Sequence, residues 1–84
     1  MGTLEKLIEK LLSKPKEVLF SDVIKVLEAF DYKERHTGTG SHRAFTKPGH
    51  LPIIVPVIKG RHVKGPYIQM IVDRLGLEDY YGSE

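Results

Sequence analysis

"HRAFTKPGHLPIIVP", residues 42–56, decides the fold of this chain. Its first six residues alternate well enough for a β-strand, and "PGH" reads as a turn. The run that follows, "LPIIVPVIKG" over 51–60, is apolar and β-branched, which suits a second strand. Pro52 and Pro56 lack an N–H, so this strand belongs on a sheet edge or carries a bulge. Upstream, "YKERH" (32–36) reads as another strand and "TGTGS" (37–41) as the turn into His42. The three strands form an antiparallel meander, and a meander leaves its last strand on an edge, where the prolines require it.

Outward from the meander the period changes from two to helical. "TLEKLIEKLLSK" (3–14) carries Leu4, Leu7, Ile8, Leu11 and Leu12 on one stripe, with Thr3 as a cap and Pro15 closing it. "KPKEVLF" is read as a connector. "SDVIKVLEAFDY" (21–32) repeats the helical pattern through Val23, Ile24, Leu27 and Phe30, with Ser21 as N-cap and Asp22 at the positive end of the dipole. After the meander "RHVKG" is read as a loop. Pro66 then opens a last helix, 66–76, striped by Ile68, Ile71, Val72 and Leu75 and capped by Gly76. "LEDYYGSE" is expected to be a loose acidic tail. The expected order is α-α-β-β-β-α. That is an α+β, two-layer domain with one sheet face on helices and the other open.

At 84 residues the chain has room for one core, burying roughly 60–65% of its unfolded surface. It has no cysteine, which removes disulfides, thiolate metal sites and cysteine nucleophiles together. The start "MGTLEKLIEKLL" alternates charge with apolar residues and does not read as a signal peptide, and no apolar run is long enough to cross a membrane. A cytoplasmic protein is expected. The net charge of +2 hides a segregation. Between Lys33 and Lys64 seven bases (Lys33, Arg35, Arg43, Lys47, Lys59, Arg61, Lys64) face one acid, Glu34, for a net +6. The rest of the chain has six bases against ten acids, a net −4. A basic segment on an otherwise acidic domain suits a polyanion such as RNA, and equally a solvated sheet surface.

All four histidines, His36, His42, His50 and His62, lie in that basic segment. If Phe45 points into the core, alternation sends Arg43 the same way and His42 to the open face. A histidine there can take a proton from a ribose 2′-OH or give one to a leaving oxygen, with nearby cations holding the phosphate. The same spacing fits an ordinary surface histidine beside a turn. Gly38 and Gly40 allow a left-handed backbone whose amides could hold an anion, and they equally suit a plain hairpin loop. The histidines are spaced six, eight and twelve apart with one carboxylate nearby, so no metal site is expected. Ser41 directly precedes His42, so in a strand the two side chains point to opposite faces, and no G-x-S-x-G is present. Lys64, just before the last helix, could hold a phosphate at the helix N-terminus or simply be solvated.

"GSHRAF", then "KPG", then the apolar "IIVPV" strand resembles the HicA (YcfA-like) toxin family. The matching residues are Gly40, Ser41, His42, Phe45, Pro48, Gly49, Pro56, Lys64, Gly65 and Pro66, and the resemblance covers about residues 17–77. It implies a double-stranded-RNA-binding-domain-like fold and a metal-independent endoribonuclease that cuts mRNA with the turn histidine, here His42. It also implies a HicB-like antitoxin that covers the site, and no cofactor. Two features depart from the pattern. Many members carry a second histidine in the strand after the proline, where this chain has Val57 and Ile58, and residues 1–16 add a helix before the family-like core.

The expectation is therefore one domain over 1–84: an added helix in 1–16, a HicA-like core in 17–77 and a tail in 78–84. His42 is the candidate acid–base. Arg35, Gly40, Ser41, Arg43, Lys47, Lys59 and Lys64 are the candidate RNA-binding residues. The alternative is a non-catalytic RNA-binding module of the same fold.

Overall fold

The computed structural model describes residues 3–35, 42–58 and 61–82. The hairpin that opened the reading is present as β3 (His42–Thr46) and β4 (Ile53–Pro56), joined by a tight turn. His50 N–H donates to the Lys47 carbonyl at 3.0 Å across Pro48 and Gly49. Gly49 has φ +81°, and proline followed by a left-handed glycine is the signature of a type II turn. β2 (Lys33–Arg35) pairs antiparallel with β3, so the sheet order is β2-β3-β4 and the proline-bearing β4 lies on an edge. The register sets Glu34 opposite Phe45 and Arg35 opposite Ala44. It sets Phe45 opposite Ile53, Arg43 opposite Val55, Ala44 opposite Ile54 and His42 opposite Pro56.

Since directly opposed residues share a face, one face carries Glu34, Arg43, Phe45, Ile53 and Val55. Phe45, Ile53 and Val55 are fully buried there. The helices cover this inner face. α2 (Phe20–Ala29) turns Phe20, Val23, Val26 and Leu27 inward, and the Phe20 and Phe45 rings meet edge-on with centroids 6.2 Å apart. α3 (Gly65–Leu75) contributes Ile68, Ile71 and Val72, has Pro66 in its first turn as expected, and ends at a left-handed Gly76. Arg74 of α3 reaches back to the entry of β4, donating to the carbonyls of Leu51 and Pro52.

The elements left out of the sequence reading are two short strands and a short helix. "KPKEVLF" is not a plain connector: Glu17–Leu19 form β1. "RHVKG" is not a plain loop: His62–Lys64 form β5. The two pair antiparallel as a separate two-stranded sheet, with Val18 opposite Val63, both buried. Phe20 N–H to the Arg61 carbonyl and Gly65 N–H to the Lys16 carbonyl, each 2.8 Å, close the two ends of this clamp. The acidic tail also winds into a helix, α4 (Leu77–Gly82), and Leu77 is fully buried. The observed order is thus α-β-α-β-β-β-β-α-α. α2 starts at Phe20 rather than after Ser21, and its N-cap Leu19 is extended with no side-chain cap bond. Pairing with β5 holds β1 extended up to Leu19, so the helix begins where the clamp ends.

The N-terminal helix α1 (Thr3–Leu12) is part of the core. It buries Ile8 and Leu11 and packs against α2, α3 and α4, while Lys10 Nζ lies 3.1 Å from Asp22. Gly65 sits where the backbone of residues 15–16 passes close by. A Cβ on it would sit 2.8 Å from the Pro15 carbonyl oxygen, with backbone on both sides of the contact. Gly65→Ala is expected to cost about 1–3 kcal/mol, as overpacking that neither partner can relieve by rotating. A urea titration reads this as a lowered midpoint, and an unchanged midpoint would mean that the clamp yields freely.

Candidate functional site

The outer face of the β2-β3-β4 sheet carries the residues that alternate with the core set. They are Lys33 and Arg35 on β2, His42, Ala44 and Thr46 on β3, and Ile54 and Pro56 on β4. Lys33, Arg35, His42 and Ile54 are exposed. Ala44 lies between Arg35 and Ile54 and is only 7% exposed, so it forms the low floor of this face between larger neighbours. His42 stands at the first residue of β3, on the open face as the alternation predicts.

The other candidates separate from it. Arg43 points to the inner face, where its Nη1 lies 2.6 Å from Glu34 Oε2 and its guanidinium 5.5 Å from the centre of the Phe20 ring. The ion pair is partly buried and charge-assisted, so Arg43 serves the packing between β2, β3 and α2. Lys47 lies just beyond β3 with its ammonium 5.6 Å from the Tyr32 ring centre, and His50 meets the same ring edge-on. Lys64 belongs to the other sheet, exposed, opposite Glu17 and at the N-cap of α3. Gly40, Ser41, Lys59 and His36, and the turn 37–41 itself, lie outside the described residues.

The fold therefore brings His42 and Arg35 to one face and takes Arg43, Lys47 and Lys64 elsewhere. It adds Lys33, which the sequence reading counted as charge but not as a site residue. The signal for it was its spacing of two from Arg35, which puts both on one face of a strand. Among the described residues no three of His, Asp or Glu gather as a metal-ligand set. No helix among them is long and apolar enough to cross a membrane. The side chains on the outer face can attract a polyanion through Lys33 and Arg35, offer apolar contact at Ala44 and Ile54, and exchange a proton at His42. Comparison with family models, curated proteins and solved structures gives no match to this chain.

Proposed function

We propose that this chain is a HicA-like endoribonuclease of a toxin–antitoxin pair, with His42 as its proton-transfer group. One observation carries the reading. His42 is exposed on the same sheet face as Lys33 and Arg35, opposite the face buried on the helices. A histidine among cations on an open face can serve a ribose–phosphate backbone. As base, its ring nitrogen takes the 2′-OH proton while the 2′-oxygen attacks phosphorus and the P–O5′ bond breaks. The departing 5′-oxygen takes up a proton from water, and the imidazolium gives its proton to the hydroxide left behind, which regenerates His42 and leaves the reaction proton-neutral. The reading includes mRNA as substrate, a double-stranded-RNA-binding-domain-like core, a cytoplasmic setting, no cofactor, and a HicB-like antitoxin seated over this face.

The second reading is a non-catalytic RNA-binding module. The commitment of Arg43 to Glu34 favours it, because the cation next in sequence to His42 is thereby withdrawn from the open face. One gel decides between them. Purified protein treated with EDTA and incubated with a mixed-sequence single-stranded RNA is expected to cut it. Intact RNA with a mobility shift that fades as salt rises would establish the binding module instead.

A further inference from the structure

We infer that Arg35 is the second catalytic group of this face, contacting the scissile phosphate that His42 serves. The inference rests on the ribonuclease reading and goes beyond it by naming the residue that stabilises the charge. A single histidine moves a proton but leaves the charge that builds on the phosphoryl oxygens unmatched, and a positioned cation supplies most of the stabilisation in such reactions.

Among the described cations the register selects one. Arg43 is turned inward and paired with Glu34. Lys47 sits over Tyr32 beyond the strand end, and Lys64 and Arg61 belong to the β1–β5 clamp. Lys33 and Arg35 remain on the outer face. Arg35 is opposite Ala44, and His42 precedes Ala44 by two on the same strand and face. Arg35 and His42 are therefore diagonal neighbours, with Cα atoms about 7–8 Å apart, a span that long side chains bridge. Ala44, opposite Arg35 and next to His42 along the same face, adds little bulk, so a phosphate can settle with the imidazole on one side and the guanidinium on the other. The planar fork of arginine can then bind two phosphoryl oxygens at once as the phosphorus becomes five-coordinate. No proton passes through Arg35. Lys33, roughly 7 Å further along β2, holds a neighbouring phosphate as a plain charge.

The test compares Arg35→Ala, Arg35→Lys and the unaltered protein. It measures single-turnover cleavage of a single-stranded RNA at saturating protein. In parallel it measures affinity for the same strand with a 2′-deoxy residue at the cut site, which binds but cannot react. Arg35→Ala is expected to lower the cleavage rate by about 100-fold or more. Its affinity for the unreactive strand should change only a few-fold. Arg35→Lys should recover part of the rate, since it keeps the charge and loses the fork. Cleavage by Arg35→Ala within three-fold of the unaltered protein would overturn the inference. So would a loss that appears wholly in affinity, because Arg35 would then only grip. Failure of the unaltered protein itself to cut RNA would overturn the ribonuclease reading and carry this assignment with it.

Discussion

His42→Ala is expected to abolish RNA cleavage and leave the fold standing. The residue is exposed at the start of β3, on the face away from the core, so truncation opens no cavity. Surface substitutions of this kind change stability by about 0.5 kcal/mol or less. Removing a general acid–base, by contrast, lowers the rate by about 10²–10⁴-fold. Single-turnover cleavage alongside thermal melting by circular dichroism separates the two effects. Expression of the same variant should no longer arrest growth of a host that the unaltered protein arrests. Undiminished cleavage by the pure variant would remove His42 from the mechanism and turn attention to residues 36–41.

The largest stability effect is expected at Phe45. It is fully buried at the middle of the inner face, flanked by Glu34 and Ile53 across the sheet and capped by the Phe20 ring. Phe45→Ala removes a large side chain that joins the sheet to α2, at a cost of about 3–5 kcal/mol. A domain of this length has roughly 4–13 kcal/mol in all. The variant is therefore expected to lose roughly a quarter or more of its stability, seen as a much lower urea midpoint. Phe45→Leu, which keeps most of the volume, should cost well under half as much. A loss below about 1 kcal/mol for Phe45→Ala would mean that this face is not the core.

What could be read in the sequence was what local pattern encodes. Alternation in 42–46, the Pro-Gly turn and the two prolines of 52–56 carry their own geometry, and all three recur in the sheet. Pro66 and Gly76 bracket the last long helix for the same reason. β1 and β5 gave no such signal. Each is three residues with one buried valine, and each is a strand only because the other lies beside it, far away in sequence. Missing β1 also hid the start of α2, so Phe20 was left out of its buried stripe; within the helix, the stripe read from spacing took in the half-buried Ile24 and passed over the buried Val26. The site shows the same division. The side of the sheet on which His42 stands follows from period two. The pairing of Arg43 with Glu34 depends on the β2–β3 register, which period two alone does not fix.

The β1–β5 clamp also bears on how the chain reaches its folded state. Its two strands close residues 20–61, a loop of roughly forty residues whose closure entropy is about 3 kcal/mol. Two three-residue strands gain too little by pairing to meet that cost from an open chain. The β3–β4 hairpin, closed by its four-residue turn, carries less than half of it, about 1 kcal/mol on the same scaling. Collapse of the hairpin onto α2 shortens the distance the clamp must close, so the clamp is expected to form late, after the rate-limiting step. Substitutions in the clamp such as Gly65→Ala should then speed unfolding and leave the folding rate nearly unchanged, whereas Phe45→Ala should slow folding itself.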